Sequence, residues 1–556
     1  MAQDREFSLE FERQIPEIRT LARFYRHVRT GAEVLSLIND DDNKVFGVVF
    51  RTPPPDSSGV AHIMEHSVLC GSRKYPLKEP FVELLKSSLK TFLNAFTYPD
   101  KTCYPVASQN VQDFYNLIDV YLDAVFFPLI TPFTLQQEGW HYELESPGGP
   151  LTIKGVVYNE MKGAYSSPDS LISELSQQSL FPDTTYGLDS GGDPKVIPSL
   201  TYESFKAFHQ KFYHPSNARI FFYGNDDPEH RLEIISQYLQ GFEKAAPGSD
   251  VPLQPPISEP RRIVRPFAAG EEGEGADGLK GMVTVNWLLP QTTDAVSNLA
   301  FQVLEYILLG MPGSPLRKAL IESGLGEDLA GSGLENDLRQ SFFSAGLKGI
   351  RTEDAGKVER LIFDTLSGLA ENGIDPATVE AGLNTVEFRL RENNSGSFPQ
   401  GLVLMLHSLT TWLYDADPLA MLAFEAPLEQ VRAEAKAGGL FEDLIRRHLL
   451  ENRHRSVVLL SPDPELAARE LEEETKKLAG IKAAMPEARV REVIENHREL
   501  SRLQSLPDSP EALAKIPVLA VSDLDRKNRE VPMEAGSVDG ARVFTHDIFT
   551  SGITYL

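Results

Sequence analysis

Residues 44–68 read KVFGVVFRTPPPDSSGVAHIMEHSV. The first eight form a β-branched and aromatic run, the pattern of a buried strand. TPPPDSSG, residues 52–59, is a Pro/Ser/Gly turn that ends the strand and can cap a following helix. That helix carries His62, Glu65 and His66. His62 and His66, four apart, project from one helical face, close enough to share a metal ion. Glu65, three after His62, falls at the edge of the same arc, about 100° from His66. Two neutral imidazoles and a carboxylate suit zinc, and a free position would hold water. A carboxylate beside that water can take its proton as the metal lowers its pKa.

Outward from this stretch, short strand-like runs alternate with helical patterns. RIFFY at 219–223, followed by Gly-Asn-Asp, is a second strand and turn, and helical periods cover 111–127 and 202–212. Strands separated by helices predict α+β or α/β layers rather than a bundle. A Pro- and Gly-rich stretch at 246–266, followed by an acidic, Gly-rich turn at 270–278, marks a domain boundary. The first domain is therefore expected over residues 1–265. The pattern then restarts, with strands at 282–289 and 342–350 and helices at 295–309 and 355–372, giving a second α/β domain over 266–463. Residues 464–525, dense in Glu, Lys, Ala and Leu and divided near Pro486, predict a solvated helical hairpin acting as a linker.

Fifty-four Lys and Arg against 80 Asp and Glu leave a formal charge of −26. That balance argues against nucleic acid, whose phosphates need clustered cations. The two cysteines, Cys70 and Cys103, are too few for a disulfide scaffold and suggest a reducing compartment. The N-terminal residues carry neither a secretory apolar run nor an Arg-rich, acid-poor presequence, and no stretch approaches an uninterrupted membrane span. The expectation is a soluble, cytoplasmic protein with no membrane partner.

A catalytic zinc needs a third protein ligand. In GVVYNEMKGAYS, residues 155–166, Glu160 shares a helical face with Val156, Val157 and Ala164, so its carboxylate is expected to be buried. Such a group needs a cation beside it, either zinc or a nearby lysine such as Lys154 or Lys162. Cys70 near His66 is read as packing rather than as a thiol nucleophile. GLGEDLAGSG at 324–333 lacks the spacing of a nucleotide loop and is read as a turn between strands.

The order H-x-x-E-H is an inverted zinc-peptidase signature. Together with SVLCGSRKYP (67–76), LNAFTYPDKTCYP (93–105), QEGWHYELE (137–145), GVVYNEMKG (155–163), FYHPSN (212–217) and ALIESGLGED (319–328), it resembles the pitrilysin-type inverted zinc metallopeptidases, and within them the presequence protease branch. The likeness covers nearly the whole chain. It implies that His62, His66 and Glu160 bind one zinc ion and that Glu65 is the general base. It implies also that Asn94, Ala95 and Phe96 belong to an edge segment on which an extended peptide is laid, held through its backbone. Packing is the competing account of Phe96. GMPGS at 310–314 is read as a helix-opening turn rather than a contact for a substrate terminus.

The fold so implied is two α/β domains and a helical hairpin, one half of a clamshell that closes around unfolded peptides, including targeting peptides. Net acidity is compatible with basic, amphipathic substrates. Residues 526–556 are expected to begin a third domain, with THDIFTSGITYL as its first strand, and the family's remaining half, which contributes Arg and Tyr contacts to the substrate carbonyl, has no counterpart here. Two readings follow: a zinc endopeptidase using Glu65 to activate water on the metal, or a non-catalytic scaffold or inactive half that needs a separate C-terminal half.

Overall fold

The computed structural model describes residues 6–269, 280–527 and 530–556; the turn expected at 270–278 lies outside them. The first sheet contains β1 (Phe7–Ile15), β2 (Thr20–His27), β3 (Glu33–Ile38), β4 (Lys44–Arg51), β5 (Lys90–Leu93), β6 (Phe96–Thr97), β7 (Lys101–Ser108) and, after the short hairpin β8 (His141–Glu143) and β9 (Thr152–Lys154), β10 (Ala218–Gly224). The strand order is β1-β2-β3-β10-β4-β7-β5, with β6 also pairing β7. All pairings are antiparallel except β3 with β10.

The unbroken apolar run of β4 is explained by cover on both faces. Phe46, Val48 and Phe50 point into one core, under the helices Val60–Val68, Val111–Phe126 and Tyr202–Phe212. Val45 and Val49 point into another, under the helix Gln400–Trp412. Gly47 lies on that second face, where a Cβ would collide with the Met405 side chain.

The second sheet is built from β11 (Arg261–Ala268), β12 (Gly281–Gln291), β13 (Asp328–Glu335), β14 (Gln340–Ile350) and β15 (Arg455–Asp463), in the order β11-β15-β12-β14-β13. One face packs on the helices Ala295–Glu305 and Ala355–Asn372. The other receives Ile172 of the helix Pro168–Leu180 against Met282, Val458 and Leu460. Each half thus lends a helix to the other's sheet. The seams are polar as well as apolar: the Ser176 and Thr284 hydroxyls meet at 2.8 Å, and Trp412 Nε1 donates to Glu33 Oε2 at 2.7 Å.

The layered α+β architecture agrees with the expectation, but several details differ. The boundary set at 265/266 falls inside β11, which pairs in parallel with β15 and so belongs to the second sheet. The turn expected at 324–333 is largely strand β13, whose register shifts between Ala330 and Gly333, with Gly331 and Gly333 at φ 98° and 68°. Residues 295–322 reach a mean hydropathy of 1.2, long and apolar enough by composition to cross a membrane. In this fold they are two helices, Ala295–Glu305 and Pro315–Glu322, joined through a turn, with Val303, Ile307, Leu316 and Leu320 in the second core. The linker forms the expected hairpin, Leu466–Ala484 and Glu487–Ser505, which buries Leu478, Val493 and Ile494 against Leu144 and Leu151. Beyond it, β16 (Glu534–Val538) and β17 (Ala541–Thr545) form an exposed hairpin, and THDIFTSGITYL is irregular after its first residue.

Trp412 is 1% exposed and closes the back of the first sheet. Trp412→Ala is expected to cost about 3–5 kcal/mol, the usual cavity cost for a large aromatic residue, read as a lowered urea midpoint. A loss below about 1 kcal/mol would mean that the borrowed helix is not what seals that face.

Candidate metal centre

The helix Val60–Val68 buries Val60, Ala61, Ile63, Met64, Ser67 and Val68. With that face committed to the core, His62, Glu65 and His66 are left on the side facing the next layer. His62 Nε2 lies 3.6 Å and His66 Nε2 3.7 Å from the same atom, Glu160 Oε2. The three ligand atoms fall within 4.8 Å of one another. A tetrahedral zinc with bonds of about 2.0–2.1 Å would set its ligand atoms roughly 3.3 Å apart, so the two nitrogen–oxygen pairs need to close by only a few tenths of an ångström.

The outer contacts of the imidazoles orient them. His62 Nδ1 donates to Gly191 O at 3.1 Å and His66 Nδ1 to Glu138 Oε2 at 3.3 Å, which leaves both Nε2 lone pairs turned toward Glu160. Two lone pairs facing a carboxylate repel unless a cation sits among them, so the donor set fits a divalent ion such as zinc. Burial pulls the His66 pKa down, but the bond to Glu138 and the nearby Glu65 and Glu160 charges outweigh it and the net shift is upward. Burial likewise pushes the Glu138 carboxyl up, and hydrogen bonds from His66 and Gln137 overcome that to hold it below its ordinary value.

Backbone shape places Gly191. Gly59 opens the helix at φ 70° with no side-chain cap, and a Cβ there would come within 2.7 Å of Gly191 O. Asp189 folds the loop by accepting the Gly191 and Gly192 N–H groups at 2.9 and 3.1 Å and the Tyr165 hydroxyl at 2.7 Å. Nearby on the helix Pro168–Leu180, burial and then the Asp189 charge push the Glu174 carboxyl up to about 8.

Glu160 is not buried as expected: its side chain is 50% exposed and Val156 is 39% exposed, because the helix Val156–Tyr165 buries Val157 and Tyr158 instead. Lys162 pairs with Glu474, not with Glu160. Glu65 accepts the Thr97 hydroxyl at 2.6 Å, so its carboxylate is tied to β6. Asn94 is exposed, Ala95 buried and Phe96 half-buried, and all three lie where β5 and β6 form the outer edge of the first sheet beyond β7. Phe96 also joins Phe92, Tyr98 and Phe398 in an aromatic cluster, so packing accounts for part of its role. Cys70 Sγ donates to Glu138 Oε1 at 3.4 Å, and burial drives its pKa well up, leaving a protonated thiol. Sequence reasoning missed Glu138, Gly191 and Thr97 as supports of the site; Glu138 stood inside the quoted QEGWHYELE with no local signal of its partner.

Three family models match the chain: insulinase (peptidase family M16) over residues 51–146, the peptidase M16 inactive domain over 199–386, and the domain associated with subfamily C of the M16 peptidases over 460–556. A solved protease from Helicobacter pylori superposes with a TM-score of 0.61 at 16% identity, covering 79% of this chain and 99% of that one. A peptidase M16 inactive domain from Pseudomonas fluorescens gives 0.60 at 16%, covering 80% and 98%. The chain belongs to the M16, pitrilysin-type, peptidase family. Presequence protease 1, chloroplastic/mitochondrial, of Arabidopsis thaliana is 53% identical over 568 residues, all of this chain and 52% of that protein. The mitochondrial presequence protease of Xenopus tropicalis is 40% identical over 520 residues, covering 92% and 50%, and Protein HypA of Clostridium perfringens is 45% identical over 535, covering 96% and 55%. Within the family the chain therefore falls in the presequence protease branch. It spans about half the length of these relatives.

Glu138→Ala is expected to weaken metal affinity by about 10- to 100-fold without unfolding the chain, measured by competition with a chromophoric chelator. Unchanged affinity would show that Glu138 does not orient His66. For Glu174, the unfolded chain loses its proton near 4.5 while the folded state keeps it to about 8, so stability falls as pH rises across that window. Glu174→Gln removes this slope and should gain on the wild type between about pH 5 and about pH 8; urea midpoints that move in parallel would refute the assignment.

Proposed function

We propose that this chain is the metal-bearing part of a zinc endopeptidase that hydrolyses unfolded peptides of the presequence type within a closed chamber. The observation that carries the reading is the convergence of His62, His66 and Glu160 on one point, with a second carboxylate, Glu65, tied to the strand edge beside it. The names of the presequence proteases to which the chain is similar support the substrate class.

Zinc held by His62, His66 and Glu160 would supply a Lewis acid that lowers the pKa of water and polarises a peptide carbonyl. Glu65 takes the proton of the attacking water and returns it to the leaving amine. Thr97 leaves Glu65 one oxygen free for that work, since its hydroxyl occupies only Oε2. The edge of β5 and β6, at Asn94, Ala95 and Phe96, offers backbone groups to which an extended peptide can add as a strand. Backbone recognition tolerates varied sequence. The formal charge of −26 favours basic, amphipathic peptides. A further half of the same protease, as a partner, would complete the enclosure.

Hydrolysis of a quenched basic amphipathic peptide by the zinc-loaded chain tests this. Glu65→Gln should keep its metal and lose at least about 100-fold in rate, the usual minimum for removing a general base. Metal loss in that variant would make Glu65 a ligand, and undiminished cleavage would remove it from catalysis. Peptide binding without turnover by the unsubstituted chain would favour the scaffold reading.

A further inference from the structure

A second convergence of metal-ligating side chains lies outside the centre described above. His141 and Glu143 sit two apart on β8 and so share one face of the strand. His497 comes from the second linker helix, Glu487–Ser505, more than 350 residues later. One ligand atom from each lies within 4.8 Å of the others, and His497 Nδ1 is 3.8 Å from Glu143 Oε2. We infer that His141, Glu143 and His497 form a second divalent-metal site, of a borderline ion such as zinc, that fastens the linker hairpin to the first domain.

The contacts around the three residues resemble those of ligands. His141 Nδ1 donates to Gln136 O at 2.7 Å, which fixes the ring and leaves Nε2 as its free lone pair. The second oxygen of Glu143 accepts the Thr152 hydroxyl at 3.4 Å. Among the described residues, His497 is the one basic group within ion-pair distance of Glu143, and 3.8 Å is too long for a hydrogen bond to hold the pair. All three side chains are half-buried, reachable by an ion yet partly screened from water. Two imidazoles and one carboxylate select a borderline cation over calcium or magnesium, which prefer oxygen alone. Lys154, opposite His141 across the hairpin, is the one cation that opposes binding, and its exposed side chain is free to swing into solvent. Burial first, then His497 and Lys154, lower the His141 pKa, which favours the neutral, metal-ready ring.

The location gives the site a task. The turn Leu135–Gly139, just before β8, carries Glu138, which holds His66. The first linker helix supplies Glu474, which accepts the Tyr158 hydroxyl at 2.8 Å and Lys162 at 2.9 Å, on the helix that bears Glu160. An ion bound by His141, Glu143 and His497 would therefore hold the hairpin against both segments that position the first centre.

The two sites share no ligand, so the inference does not rest on the proposed function. Metal-free chain would be titrated with zinc and with cobalt, whose visible absorption reports coordination. The unsubstituted chain should bind two equivalents. His497→Ala, and separately Glu143→Gln, should bind one while remaining folded by circular dichroism; the paired substitution His62→Ala/His66→Ala should also retain one. Zinc should raise the thermal midpoint of that pair and have no effect once His497→Ala is added. One equivalent in the unsubstituted chain, kept by His497→Ala and lost with His62→Ala/His66→Ala, would overturn the second site and leave the first standing. One equivalent lost with His497→Ala and kept by the pair would support the second site and remove the first.

Discussion

The apolar face of the helix Val60–Val68 is the constraint on which the metal centre depends. Ile63, Met64 and Val68 are fully buried, each contributing about 1.5–3 kcal/mol. Their combined burial exceeds the repulsion between partly exposed carboxylates a few ångströms apart, which is on the order of 1 kcal/mol in water-like surroundings. Packing thus fixes the rotation of the helix and directs two imidazoles and a carboxylate outward at a set angle. Gly59 makes the helix start abruptly enough for the residue 189–193 loop to reach His62. Without that close backbone approach, His62 would keep its place on the helix but lose the carbonyl that sets its tautomer.

How far the site could be read from sequence follows from how local it is. His62, Glu65 and His66 were legible because one helix fixes their spacing, and Glu160 because a third ligand was required and a helix offered one. The reason given for Glu160 failed, since side-chain periodicity says that residues share a face and not that the face is buried. Glu138, Gly191 and Thr97 come from three separate segments, each with an ordinary local pattern, and only the fold brings them to the helix. β11 was missed for a similar reason. As an outer strand with charged residues and Pro266, RRIVRPFA looks like a linker when its parallel partner, 190 residues on, is not in view.

The linker hairpin has more contact with the first domain than its composition implied. A helix pair rich in Glu and Lys reads as solvated, and most of its surface is. Yet Leu478, Val493 and Ile494 pack on Leu144 and Leu151, and Lys195 reaches Glu470 at 2.8 Å. The hairpin therefore returns the chain from the second sheet to the side of the first domain that holds Glu160. Acidic residues on it do two jobs, keeping it in solution and meeting the few cations of the domain beneath.

The exchange of helices between the two sheets also bears on how the molecule is made. The first sheet has all its strands once residue 224 has been synthesised, but the helix that covers its back face ends at Trp412. At roughly 5–20 residues per second, that face waits about 10–40 s for its cover. During that interval Val45, Val49, Phe221 and Tyr223 form an open apolar plate on a nascent chain. The metal-bearing part of the fold is thus complete in sequence long before it is complete in structure, and a chaperone has a defined surface and a defined interval in which to act.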